Sequence, residues 1–267
     1  MDTLRFRQNG FSLVELMLAM ALSLFMLGGL FLSVIGELKS YESVRATEQL
    51  ASKTQMSVKS LRMYIMQAGF RDLDNLMLDR EFAAETGDWT WALQQRLQGL
   101  NAPDSSALST LSALSSAQPT SDIIAVRFIG MTTASSSTTS SSSSDVIDCN
   151  GNAVVTNDEY EISLYVSDAN ELICQDINGA IVLDENIEHM RLMYGIDDDS
   201  TYKYYDADDV TDWSAVNRVK IALLLAQEVT ANYQTNNNSY QLFDRTISAA
   251  NDTNYRLVTT ETVLIRN

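Results

Sequence analysis

The chain is short of proline, histidine, cysteine and positive charge. It has two prolines among 267 residues, and none before Pro103. Proline interrupts helices, so nothing of that kind breaks one in the first hundred residues. One histidine and two cysteines do not supply the ligands of a zinc site. No Gly-x-Ser-x-Gly elbow, phosphate loop or paired-histidine metal motif occurs. A catalytic His189 would need a base and an orienting partner. It alternates instead with Ile187 and Arg191, which reads as a surface or structural histidine on a strand, and no enzyme is expected. Basic residues number 18 against 35 acidic, for a net charge of −17. Phosphates repel such a chain, so direct binding of nucleic acid by bulk attraction is not expected. Beyond residue 35 there is no second long apolar run.

The one long apolar run, Phe11 to Ile35, covers about 25 residues. At about 1.5 Å per residue its helix would reach roughly 37 Å, enough to cross a bilayer core of about 30 Å with some tilt. Its one charge is Glu15. A carboxylate in hydrocarbon costs several kcal/mol, so such a residue points to a function. Arg5 and Arg7 precede the run against a single Asp2. The positive-inside rule therefore keeps the leader in the cytoplasm and sends the rest of the chain across. An ordinary signal peptide carries its small-residue cleavage site after the apolar stretch. Here the small residue, Gly10, comes before it.

In an oxidising compartment Cys149 and Cys174, 25 residues apart, are expected to pair. The closed loop would contribute about 3 kcal/mol in the chain-entropy account. Two buried free thiols are the alternative.

After Ile35 the pattern turns amphipathic. Leu38 and Tyr41, then Leu50, Thr54, Val58, Leu61, Ile65 and Ala68, follow with Lys39, Glu42, Arg45, Glu48 and Lys59 between them. The later spacings of three and four predict one helical face, and Gly69 suits a C-cap. One helix of about 55 residues is expected, its first half in lipid (11–35) and its second half (36–69) against a soluble head (70–267). Gly28 and Gly29 are weak points in it, read either as ordinary membrane-helix glycines or as places where the helix melts on packing into a filament. Residues 89–97 predict a short element with a buried aromatic, from Trp89, Trp91, Leu93 and Leu97. Residues 134–144, an alanine and ten Ser or Thr, cannot bury apolar area and read as a flexible loop.

Strands are expected at 122–129, 159–166, 172–174, 180–183, 187–195, 218–225 and 255–265, with Asn178-Gly179 as a hairpin turn. The fold class is α+β: a long N-terminal helix packed on a mainly antiparallel sheet. Asp197, Asp198 and Asp199 with Asp206, Asp208 and Asp209 form an acidic cluster without the Gly and distal Glu of the best-known calcium loop. A solvated loop is the reading, with Ca²⁺ at Asp197 and Asp199 the alternative; no cofactor is expected. Tyr202, Tyr204 and Tyr205 interleave this loop as a candidate interaction surface.

The order Gly10, Phe11, Glu15 resembles the class III leader of type IV pilins and type II secretion pseudopilins. The resemblance implies cleavage after Gly10 by a membrane aspartyl peptidase, methylation of the new N-terminal Phe11, and Glu15 as the acidic assembly residue. Downstream segments resemble the PilW minor pilins. They are Met66-Gln-Ala68-Gly69-Phe70-Arg71, Ser121-Asp122-Ile-Ile-Ala-Val, Cys149-Asn-Gly151 with Leu172-Ile-Cys174, Ile187-Glu188 to Tyr194-Gly195-Ile-Asp197, Val219-Lys220-Ile221-Ala-Leu-Leu224, and Arg256-Leu257 to Arg266-Asn267. Residues 76–120 and 134–144 have no counterpart in that pattern. The family's Asp-x-Asp-Gly-Asp run is reduced here to Asp197-Asp-Asp199-Ser-Thr.

The resemblance implies a type IV pilin-like fold. It implies a single-pass inner-membrane protein with a periplasmic head that then enters a pilus at or near its tip. Its expected work is to initiate or cap the filament, with twitching motility, adhesion and DNA uptake following. The implied partners are other minor pilins, the major pilin, the prepilin peptidase and the inner-membrane assembly platform. A type II secretion pseudopilin of the J type is the alternative, and a membrane-anchored periplasmic enzyme or binding protein a more distant one.

Overall fold

The computed structural model describes residues 12–72, 81–86, 89–102, 111, 114–130, 146–155, 158–198, 201–228 and 238–265. Helix α1 runs Leu13–Ile65, 53 residues without interruption. It stops four residues before Gly69. Met66 to Phe70 continue as tight turns, with Gln67 N donating to Tyr64 O and Ala68 N to Ile65 O at 3.1 Å each. Gly69 adopts φ +76° and donates its N–H to Arg127 O at 2.9 Å. It thus turns the chain onto the sheet rather than capping the helix as the sequence suggests.

Among the described residues thirteen strands follow: β1 (Glu85–Thr86), β2 (Thr90–Trp91), β3 (Leu97–Leu100), β4 (Ile123–Ile129), β5 (Glu159–Val166), β6 (Glu171–Asp176), β7 (Gly179–Glu185), β8 (Ile187–Asp198), β9 (Thr201–Tyr205), β10 (Val216–Gln227), β11 (Ser239–Leu242), β12 (Arg245–Ser248) and β13 (Tyr255–Leu264). All described pairings are antiparallel. They build two main sheets, β3-β4-β5-β6-β7 and β13-β10-β8-β9, with small ribbons β1-β2 and β11-β12. The expected α+β class, a long helix on a mainly antiparallel β head, is what the chain adopts; its long strands divide into two sheets where the chain leaves β7 for β8 through Asn186 at φ +66° and starts a new ladder.

The period-2 alternation of strands explains the layers. Ile124, Val126 and Phe128 of β4, with Ile162 and Leu164 of β5, face one way. They share a core with Leu61 and Ile65 of α1 and with Leu192, Val219, Ile221 and Val263 of the second sheet. The odd residues Ile123, Ala125 and Tyr165 face the other way, under Trp89 and Trp91. The aromatic element expected at 89–97 is therefore a lid on the outer face of the first sheet. The outer face of the second sheet is covered in part by the β11-β12 ribbon over Ala222 and Leu224.

The short polar strands β1, β9, β11 and β12 are not anticipated by the sequence. The β6-β7 hairpin is offset by one residue from the expected turn. Asp176 pairs with Gly179, so Ile177 and Asn178 form the turn, and Asp176 Oδ1 accepts from Asn178 N at 2.7 Å. The Ser/Thr tract at 134–144 lies outside the described residues.

Candidate functional site

Gly10 and Phe11 lie outside the described residues, which begin at Ser12. Ser12 is extended and precedes the first helical turn, where Glu15 N donates to Ser12 O at 3.0 Å. Glu15 thus sits in the first turn of α1, where the partial positive charge of a helix N-terminus favours a carboxylate. Its helical neighbours are exposed and apolar: Leu13 73%, Val14 72%, Met17 64%. The exposed apolar stretch continues through Phe25, Phe31 and Leu32 to Leu38, Tyr41 and Val44. The helix is long and apolar enough to cross a membrane, with a window of mean hydropathy 2.3. Monomeric soluble proteins rarely expose so large a contiguous apolar surface.

The helix meets the head later than its amphipathic pattern suggests. Leu38 and Tyr41 remain exposed, at 58% and 66%. Ser43 Oγ lies 3.2 Å from Tyr255 OH of β13, and full burial begins at Ala46. Leu50, Thr54, Ser57, Leu61, Tyr64 and Ile65 are then buried. Ser57 Oγ bonds the Asp184 carboxylate of β7. Arg62 pairs with Glu261 of β13 at 3.4 Å.

Cys149 and Cys174 are joined in a disulfide, Cα atoms 5.6 Å apart. It pins the loop at 146–155 to β6 beside the end of α1. Gln67 Oε1 accepts from Ile147 N at 2.5 Å, and Tyr64 OH donates to Cys149 O at 3.3 Å. Asp176 Oδ2 accepts from Cys149 N at 3.0 Å and from Tyr160 OH at 2.9 Å. Burial, then the Asp148 and Asp176 charges, push the Tyr64 phenol up, so it stays a donor.

Two buried arginines organise the rest. Arg127 Nη1 meets Glu159 at 2.7 Å. The same guanidinium donates to Gln95 O at 2.5 Å, Ala83 O at 2.8 Å and Ala92 O at 2.9 Å. Arg191 makes a bidentate pair with Asp244 at 2.9 Å to both oxygens. It also bonds Asp122 at 2.9 Å and the Asp206 carboxylate, which locks the β11-β12 turn onto β8. Neither arginine is visible as buried in the sequence, because every one of these partners is distant along the chain.

Asp197 is exposed and accepts from Asn217 Nδ2 at 3.0 Å; Asp199 lies outside the described residues. Among the described residues no three acidic, histidine or cysteine side chains are grouped to hold a metal ion. His189 sits 3.3 Å from Thr120 Oγ1. Burial pushes its pKa down, against an upward pull from Glu188.

Two family profiles match the chain in this order. The prokaryotic N-terminal methylation motif matches residues 5–31, and type IV pilus-assembly protein W matches residues 154–267. The C-terminal part of the chain, residues 154–267, carries the PilW family pattern. The PilW match takes in strands β5 to β13, including the Tyr194-Gly195 and Val219-Lys220-Ile221 segments. The resembling segments at 66–71, 121–126 and 149–151 lie before it. PilW chains are pilus-related minor pilins, so the family is structural rather than enzymatic. Among solved structures, a type IV-like pilin from Thermus thermophilus is similar at 13% identity, over 81% of this chain and 95% of that one, with a TM-score of 0.44. No curated protein matches the chain significantly.

Proposed function

We propose that this chain is a PilW-family minor pilin that starts or caps a type IV pilus. The observation that carries this is a methylation motif at 5–31 followed by a helix whose first half is apolar and exposed and whose second half is buried against the head. Before assembly the apolar half lies in the inner membrane and the head in the periplasm. After cleavage at Gly10 the new amine of Phe11 is positive. Glu15 pairs with the amine of a neighbouring subunit inside the filament, where the attraction offsets the burial of both charges. The same pairing sets subunit register. Partners on this reading are the major pilin, other minor pilins, the prepilin peptidase and the assembly platform.

Mass spectrometry of the mature N-terminus tests the class: a methylated Phe11 terminus is expected, and a Met1 terminus overturns it. Glu15→Val tests the pairing. Cleavage should persist while the chain disappears from sheared filaments, and normal incorporation would exclude the pairing.

A further inference from the structure

The outer face of the second sheet is covered at one end and open at the other. At one end the β11-β12 ribbon lies on Ala222 and Leu224. Toward the β8-β9 turn, the register places Tyr202 and Tyr204 of β9, Met193, Gly195 and Asp197 of β8, Arg218 and Lys220 of β10 and Leu264 of β13 side by side on this face. Tyr202 is 57% exposed and Leu264 60%.

The polar groups here are set in place. The Arg218 guanidinium lies 3.5 Å from the centroid of Tyr202, and Lys220 Nζ lies 3.9 Å from that of Tyr204. Gly195 makes room for this: a Cβ there would overlap Arg218 Cγ and stand 3.0 Å from Tyr204 Cε1. Asn217 steadies the group from the side. Its Oδ1 accepts from Arg218 Nε at 3.0 Å, and its Nδ2 donates to Asp197 at 3.0 Å.

Two cations over two aromatic rings, with the exposed Leu264 beside them, is the composition of an interface centre. On a chain of net charge −17, Arg218 and Lys220 against the single carboxylate Asp197 leave this face a local positive excess among the described residues. Opposite charges across an interface steer encounter and fix register. A nucleic acid is the poorer fit. A cation already occupies one face of each ring, where a base would stack, and the whole chain repels phosphates.

We propose that this face docks an acidic, extended segment of a neighbouring pilin subunit's head. Arg218 and Lys220 pair with its carboxylates, and Tyr202 and Leu264 pack on its apolar side chains. The inference rests on the reading of the chain as a filament subunit.

The test uses the full chain in cells that assemble the complete filament, with the photo-crosslinker benzoylphenylalanine in place of Tyr202. Irradiation should join the chain to another pilin, at a segment that mass spectrometry shows to carry Asp or Glu. Yield should fall at least tenfold in an Arg218→Glu/Lys220→Glu chain and return with Arg218→Lys/Lys220→Arg. Chain level and the Cys149–Cys174 disulfide report folding. If the reversed chain does not accumulate, Arg218→Gln/Lys220→Gln takes its place in the same assay. Undiminished crosslinking in the altered chain overturns the proposal. So does a crosslink to nucleic acid or to a second copy of this chain, or no pilin crosslink while the wild-type chain is found in filaments. Absence of the wild-type chain from filaments overturns the filament reading, and this inference with it.

Discussion

Arg127 and Arg62 show how differently one residue type serves this protein. Arg127 is 1% exposed, with its charge surrounded by Glu159 and three main-chain carbonyls. Its guanidinium also lies 4.8 Å from the Trp91 ring centroid and 5.2 Å from that of Phe82. Burial lowers its pKa, and Glu159 pulls the other way. Arg127→Met would take the guanidinium away from three carbonyls and leave Glu159, which still accepts from Ala83 N, without its charge partner. The cost should be about 3–5 kcal/mol, read from the urea midpoint of the detergent-solubilised chain. Arg62→Met breaks a pair that is 3.4 Å long with an arginine side chain 56% exposed. It should cost less than about 1 kcal/mol in the same assay. The sequence marks position 127 only as a polar residue within an apolar strand. The carbonyls that satisfy it come from a segment more than thirty residues away, so its burial is not a local property.

Among the elements, α1 divides by what each half touches. Leu61 is fully buried in the common core and Leu38 is 58% exposed. Leu61→Ala should destabilise the head by about 2–5 kcal/mol, seen as a lower urea midpoint. Leu38→Ala should leave that midpoint within about 0.5 kcal/mol but reduce the amount of chain recovered in sheared filaments. A helix that served only as a membrane tether would show no such separation. The helix and the long strands are legible because each carries its period over many residues: three and four in α1, β-branched or alternating runs in β4, β5, β10 and β13. The strands β9, β11 and β12 are four or five residues long and rich in Tyr, Lys, Thr and Ser. Their pairing partners, not their own composition, make them strands.

At the scale of the molecule, two carboxylates and a histidine lose stability in acid, while Asp122, raised from its usual 3.8 by burial, works the other way. Hydrogen bonding to Arg191 holds Asp244 below its usual 3.8, and hydrogen bonding to Arg256 does the same for Asp252. A depressed carboxylate stabilises the fold above its unfolded pKa, and that contribution is lost as pH falls through the folded value. His189 is depressed from 6.5 by burial. Its neutral form suits the fold, so stability is full above about pH 6.5 and declines as the unfolded chain takes up the proton first. The melting temperature should be level from pH 7 to 8, fall gently below 6.5 and fall steeply below 4. His189→Asn should remove the gentle slope, and Asp252→Asn should reduce the steep one. The disulfide acts at the same scale. Cys149→Ser/Cys174→Ser removes a cross-link of separation 25 and should cost about 3 kcal/mol, as should reduction of the wild-type chain, both read by urea unfolding.

From its order of residues alone, the chain declares a long apolar-then-amphipathic helix, a β-rich acidic head, a cysteine pair placed to bridge, and a glycine, phenylalanine and glutamate arranged as in a pilin leader. These are properties of neighbours along the chain, and periodicity, charge and spacing carry them without a fold. Tertiary structure alone divides the strands into two main sheets and starts the full burial of the helix at Ala46. It also buries Arg127 and Arg191 among distant carboxylates and carbonyls, and sets Arg218 across Gly195 onto Tyr202. Each of these depends on strands far apart in sequence reaching register, where the deciding energies are packing and desolvation between segments that no local pattern relates.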